Sequence, residues 1–202
     1  MPGSSNVQSV LLALAEKGVE HELHEQPAAA YKRAPYITEV HPFGMVPALE
    51  HGDFTLYETQ AIVRYVDDAF AGPRLAPESA RPRARMNQII GIAQEYLKGT
   101  VSGGGSINFH RAWQPKFGIE VDHARIAELL PRARTALLAL DRLHTEPYFT
   151  GELSLADLMV APILHVFRRT PEGADVLGAF PRLVRWLERC EARPSGRLLR
   201  MP

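Results

Sequence analysis

The chain has 202 residues, 46% of them hydrophobic, enough for the core of one large domain or two small ones. Its 23 Lys and Arg balance 23 Asp and Glu, so no net field draws it to nucleic acid or an anionic membrane, which argues against both as partners. A single cysteine, Cys190, rules out an intrachain disulfide framework and a cysteine-based structural zinc site, and fits a reducing cytoplasm.

The apolar run that opens the chain has no basic region ahead of it and is broken by Glu16-Lys17, so it reads as neither signal peptide nor membrane span. Val7, Val10, Leu11, Leu14 and Ala15 recur at helical spacing before Gly18, which predicts a helix over about 6–17. Val19 to Leu23 reads as a short strand, followed by the loop QPAAAYKRAP and a weak helical piece over 36–40. His41-Pro42-Phe43-Gly44 is a turn. Val46 to Glu50 and Phe54 to Tyr57 are β-prone runs joined by His51-Gly52-Asp53, a hairpin. An amphipathic helix over about 58–69 follows, and then the Gly- and Pro-rich AGPRLAPESARPRAR reads as a linker.

Beyond Arg81 the apolar residues keep helical periods. Met86, Ile89, Ile90, Ala93 and Leu97 form one stripe and Ile126, Leu129, Leu130, Ala133, Leu137 and Leu140 another, with two more helices over 154–167 and 180–192. This half is expected to be an all-helical bundle.

Pro47 cannot donate to a β-ladder, so it belongs at an edge, a strand start or a bulge. A cis Val46-Pro47 bond turns the Val46 backbone toward any extended peptide lying alongside, which can pair as an added strand. Glu58 and Thr59 stand where a helix begins, so free N–H groups and the helix dipole attract a carboxylate there, while Glu58 can accept from an ammonium group. Together they suit an α-amino acid terminus. The plainer alternative is a helix cap, a contribution of about 0.5–2 kcal/mol.

These features, in HPFGMVPALEHGDFTLYETQAIVRYV, with the segment Gly151 to Asp157 and the ending AFPRLVRWLERCEARPS, resemble the cytosolic glutathione transferase family, of a serine-dependent, phi-like or zeta-like kind. The resemblance spans nearly the whole chain. It implies an α/β thioredoxin-like N-terminal domain (1–71), a linker (72–82) and an all-α C-terminal bundle (83–202). It also implies a cytoplasmic homodimer that joins the glutathione thiolate to a soft hydrophobic electrophile, with no metal. Glutathione-dependent isomerisation or dehalogenation and a non-catalytic binding role are the alternatives.

The resemblance assigns Met45, Val46 and Pro47 to the cysteinyl backbone of glutathione, Glu58 and Thr59 to its γ-glutamyl end, and Lys32 or Arg33 to its glycyl carboxylate. A thiol of pKa near about 8.5 is a poor nucleophile at neutral pH, and a hydroxyl donor at a helix N-terminus stabilises its thiolate. Ser4 matches the family's catalytic serine, with Ser5 its neighbour and Asn6 next; one of the three can instead be the N-cap. Phe109, His110, Trp113 and Phe117 either wall the electrophile pocket or pack their loop on the bundle. Ser154 and Asp157 form a capping box, so Asp157→Ala is expected to cost about 0.5–2 kcal/mol without touching ligand affinity. Family members begin with a β-strand, whereas only Met1-Pro2-Gly3 stand ahead of Ser4, so the expectation is either a start downstream of the true one or a trimmed variant with an altered sheet. His21, Glu22, His24 and Glu25 need helical geometry to share a metal but lie in strand and loop, so no metal is expected.

Overall fold

In the computed structural model, which describes residues 3–27 and 30–200, the first helix, α1, spans Ser5–Lys17. Gly18 ends it at φ 69, where the amide donates back to Ala15 and Leu14 carbonyls, the left-handed stop that only glycine adopts without cost. A short helix α2 (Tyr36–Glu39) leads to strands β1 (Ala48–His51) and β2 (Phe54–Tyr57), which pair antiparallel with Ala48 opposite Tyr57 and His51 opposite Phe54. Helix α3 (Thr59–Ala69) follows directly.

One expectation fails here. Residues 19–23 form no strand, and among the described residues the only sheet is the β1–β2 hairpin. β-propensity at Val19 or Leu23 has no effect without a neighbouring strand to accept the ladder hydrogen bonds, and none lies alongside. The segment 19–27 therefore runs as irregular chain over α1.

Helix α4 (Ala80–Ile92) continues through a π-helical stretch, Ala93–Lys98, into a short turn of helix, α5 (Gly99–Val101). A second π stretch (Phe109–Trp113) and a 3-10 turn (Gln114–Phe117) break the following loop. Then come α6 (His123–Leu143), α7 (Leu155–Phe167), α8 (Pro171–Gly178), α9 (Pro181–Ala192) and a closing 3-10 turn, Pro194–Arg200. The sequence reading lacked α8, whose eight residues are too few to show a period.

The apolar stripes meet in one core. Val10, Leu12 and Leu14 of α1 and Ile62, Val63 and Val66 of α3 are buried in the same cluster as Met86, Leu97, Leu137, Leu164 and Trp186 of the bundle. The linker is held rather than loose. Asp67 accepts from the Leu75 amide at 2.7 Å and the Ala76 amide at 2.9 Å, and the Leu75 carbonyl accepts from the Leu155 amide at the head of α7. Lys17 donates to the Asp67 carbonyl at 2.9 Å and lies 3.4 Å from its carboxylate, both side chains almost fully buried. A Cβ on Gly72 would stand 2.6 Å from the Lys17 carbonyl, so only glycine lets the linker cross the end of α1 here.

The capping box forms. The Ser154 amide and hydroxyl donate to Asp157 at 2.8 and 2.9 Å, and the same carboxylate accepts from the Phe149 amide and from Trp186 Nε1. Burial raises the Asp157 pKa, and these four bonds work against that rise.

Candidate active site

The first turn of α1 brings Ser4 and Ser5 to the face that meets the bundle. Ser4 is the N-cap by backbone position, φ -77 and ψ 119, yet its hydroxyl caps none of the first amides; its carbonyl accepts from the Gln8 amide. Ser4 is half-buried. Ser5 is buried, its hydroxyl 3.4 Å from that of Ser102 just past α5, and its carbonyl accepts from the Ser9 hydroxyl. The two serines therefore differ: Ser5 is engaged across the domains, while Ser4 keeps its hydroxyl clear of the helix it starts.

Val46-Pro47 is cis, as are Ala34-Pro35 and Glu146-Pro147. The turn that carries Val46-Pro47 is locked from below. The Tyr36 hydroxyl donates to the Met45 carbonyl at 2.8 Å, and burial raises the pKa of that phenol. Gly44 has φ 56, and a Cβ there would meet the Tyr31 carbonyl at 2.7 Å and Lys32 Cδ at 3.2 Å, so its lack of a side chain lets the Tyr31-Lys32 loop close on the turn. Lys32 consequently reaches Met45, its Nζ 3.5 Å from the sulfur, whereas Arg33 is simply exposed.

Glu58 is, among the described residues, the non-glycine residue with positive φ, at 73. It sits between β2 and α3 with its side chain exposed, and Thr59 is buried directly behind it. Backbone held in a sparsely populated region costs of order 1–3 kcal/mol and persists where surroundings or function demand it.

Three residues absent from the sequence reading complete this surface. His41 is buried against Tyr57, ring centroids 4.8 Å apart, with Nδ1 unpartnered, and burial lowers its pKa while the charges of Glu58 and Lys32 pull in opposite directions. Lys98, the last residue of the first π stretch, comes from the bundle to within electrostatic reach of Glu58; burial lowers its pKa and Glu58 raises it. Ser102 meets Ser5. His41 looked like a turn residue, and Lys98 lies one position off the apolar stripe ending at Leu97, so no local pattern marked either.

The four aromatic-loop residues separate. The Trp113 ring lies about one van der Waals contact, 4.0 Å, from where a Cβ on Gly3 would stand, and carries the Lys116 ammonium 5.0 Å over its face. Phe109 is half-buried and packs edge-on to His110, which is buried with Nδ1 2.9 Å from Gln114 Oε1. Phe117 is 69% exposed. Trp113 thus lies beside the N-terminus, Phe109 and His110 pack on each other within the loop, and Phe117 faces solvent.

A sequence profile of the glutathione S-transferase N-terminal domain matches residues 1–74, and one of the C-terminal domain matches residues 123–189. Glutathione S-transferase F14 of Arabidopsis thaliana is 30% identical over 93% of this chain and 76% of its own length. The chain belongs to the glutathione S-transferase family. Glutathione transferase F7 from Populus trichocarpa superposes with a TM-score of 0.88 at 27% identity, over 98% of this chain and 94% of that one. Glutathione S-transferase I from maize, solved in complex with an atrazine glutathione conjugate, gives 0.85 at 28% identity over 99% and 94%. This glutathione transferase therefore has the two-part architecture of the family, a thioredoxin-like N-terminal part with a small sheet and a helical C-terminal part. It binds glutathione and conjugates it to electrophiles. No helix among the described residues is long and apolar enough to cross a membrane.

Proposed function

We propose that this glutathione transferase activates its thiol through Ser4 and holds the tripeptide along the Met45-Val46-Pro47 turn, with Glu58 and Thr59 on the γ-glutamyl end and Lys32 on the glycyl carboxylate. The observation that carries the reading is the half-buried Ser4 hydroxyl at the head of a 13-residue helix, which caps nothing in that helix and so is free to donate to a thiolate. Ser5 is a weaker candidate because its hydroxyl is buried beside Ser102. Lys32 is preferred to Arg33 because Gly44 lets its loop close on the turn.

The chemistry follows from charge placement. Ionised glutathione carries two carboxylates and an ammonium group, and the site offers Lys32 at one end and Glu58 at the other, with the thiol between them near Ser4. The Ser4 hydroxyl donates to the sulfur, stabilising thiolate over thiol as the thiol proton passes to water. The thiolate attacks an electrophilic carbon resting against Trp113 and Phe109; the new C–S bond forms as a leaving group departs with its bonding pair, or as an activated double bond takes up the electrons and then a proton from water. An apolar or aromatic electrophile fits that wall. His110 and Phe117 take no part in the wall on this reading. We assign residues 1–71 and 83–202 to the two domains, with 72–82 joining them, and place the protein in the cytoplasm as a homodimer.

Ser4→Ala is expected to lower kcat at saturating glutathione by tenfold or more and to raise the pKa of bound glutathione, read from thiolate absorbance against pH, while Ser5→Ala leaves that pKa in place. Each tenfold corresponds to about 1.4 kcal/mol of lost stabilisation. An unchanged thiol pKa in Ser4→Ala would move the catalytic assignment elsewhere. Glutathione binding without turnover on any electrophile, in the unaltered protein, would favour a binding role.

A further inference from the structure

Residues 102–122, between α5 and α6, carry Trp113 beside the N-terminus, and little of this loop is core. Ile107 is fully buried near its start, and Val121 packs against the core at its end. Between these two anchors the chain is stiffened from within. The Phe109 amide donates to the Ser106 hydroxyl at 3.2 Å, and His110 Nδ1 lies 2.9 Å from Gln114 Oε1. A unit stiff inside and anchored at its ends can still tilt about them, so its orientation is set by whatever ties its middle.

That tie is Arg111. Phe109 and Trp113 stand four residues apart on the second π stretch and share a face, whereas Arg111, two residues from each, projects from the other. Its Nε donates to Glu172 Oε1 at 2.9 Å and to Oε2 at 3.0 Å, and its Nη2 donates to Oε1, so both carboxylate oxygens are engaged. Among the described residues this is the only salt bridge made by residues 102–122. Glu172 is anchored in turn. It lies in the first turn of α8, whose cap, Thr170, accepts from the Gly173 amide at 3.0 Å and donates to the Phe167 carbonyl of α7 at 2.8 Å. Its side chain is 14% exposed, and the Arg111 bonds hold its carboxyl below the usual carboxylate range against the rise that burial brings.

We propose that Arg111 and Glu172 form a positioning clamp: the pair holds the back of the second π stretch to α8, keeps Trp113 in its place in the electrophile wall, and so sets the affinity for the electrophile while leaving that for glutathione alone. The inference rests on the wall assigned to Trp113 above. Neither member of the pair touches the reacting atoms; both act through the ring they orient.

The experiment compares the full chain with Glu172→Gln, with the exchanged pair Arg111→Glu/Glu172→Arg, and with Trp113→Ala, using glutathione and chlorodinitrobenzene as probes. Acrylamide quenching of tryptophan fluorescence is read first, without ligand, because Trp186 is fully buried and half-buried Trp113 supplies the accessible part. Glu172→Gln is expected to raise quenching and to raise the KM for chlorodinitrobenzene about fivefold, the scale of one part-exposed ion pair, with kcat and the KM for glutathione within about twofold of the parent. The exchanged pair is expected to restore both readings. Unchanged quenching in Glu172→Gln overturns the clamp, and a glutathione KM that rises in step with the electrophile KM overturns its selectivity. Failure of the exchanged pair to restore either reading, in a chain that melts as the parent does, overturns the pairing as the cause. Trp113→Ala separates the clamp from the wall. If it leaves the electrophile KM unchanged, the wall reading fails and quenching alone decides whether the pair orients Trp113; if it raises that KM while Glu172→Gln does not, the clamp fails as the device that sets it.

Discussion

At Glu58 two demands conflict. In the glutathione site we propose, the carboxylate meets the ammonium end of glutathione, while the backbone adopts φ 73, which a side chain with a Cβ resists. Glu58→Gly separates the two: the variant is expected to be more stable by about 1 kcal/mol, from relief of strain costing of order 1–3 kcal/mol less the added chain entropy of glycine, while calorimetric titration shows glutathione binding lost. A variant that binds glutathione as well as the parent removes Glu58 from the site. His144 offers a prediction in pH. Both of its ring nitrogens are buried without partners, packed edge-on to Phe149 at 5.3 Å, and burial holds its pKa below 6.5. Above about pH 6.5 the ring is neutral folded and unfolded and contributes nothing; as pH falls through 6.5 the unfolded chain takes up the proton first, so stability drops toward the lower folded pKa, by up to about 1.4 kcal/mol per pH unit. His144→Leu is expected to flatten the acid limb of a denaturation series between pH 7 and pH 5. An acid limb as steep as the parent's would show that other groups govern it.

The head of α7 illustrates how an element can matter more than its local motif. Read as a capping box, Ser154 and Asp157 predicted a loss of about 0.5–2 kcal/mol on truncation. In the fold Asp157 is fully buried and also binds the Phe149 amide at 3.0 Å and Trp186 Nε1 at 2.8 Å, so the carboxylate ties the loop before α7 and the helix α9 to the box. Truncation strands four donors in a dry core. Asp157→Ala is therefore expected to cost about 3–5 kcal/mol in chemical denaturation, with glutathione affinity of the remaining folded protein unchanged. A loss under 1 kcal/mol would reduce the role to that of an ordinary cap. The strand expected over 19–23 shows the converse. Its residues have the right propensity, but a strand is a property of two chains side by side, and propensity alone cannot supply the neighbour.

At the scale of the molecule, the domains are joined by specific polar ties as well as by a shared core. Arg193, after α9, forms a bidentate pair with Glu16 of α1 at 2.7 Å and 2.7 Å, and the Ser195 hydroxyl donates to the same carboxylate. Burial works to raise the Glu16 pKa, but these bonds outweigh it and lower the group overall. On the outer surface, Arg64 of α3 donates to Asn87 of α4 at 2.9 Å, so the two helices present one continuous face. The homodimer we propose would use that face as its interface. Sedimentation equilibrium at micromolar concentration is expected to give twice the 22.5 kDa chain mass; a mass of 22.5 kDa would reject it.

The sequence by itself determined the longer helices, though not α8, together with the hairpin and the places of Pro47, Glu58, Thr59 and the capping box, because each follows from local rules: a 3.6-residue apolar period, a turn glycine, a proline without an amide hydrogen, an oxygen acceptor at a helix start. It also carried the family, through the spacing of those residues along one chain. Only the tertiary structure separated Ser4 from Ser5, since the distinction lies in Ser102, 97 residues away. The preference for Lys32 over Arg33 in the proposed site likewise rests on the close approach at Gly44, while His41 comes near Glu58 by folding within the N-terminal part and Lys98 by packing of the bundle against it. Local pattern reports which backbone conformations a segment favours; which side chains share a cleft depends on contacts between segments far apart in the chain, and those are fixed by the burial of the common core.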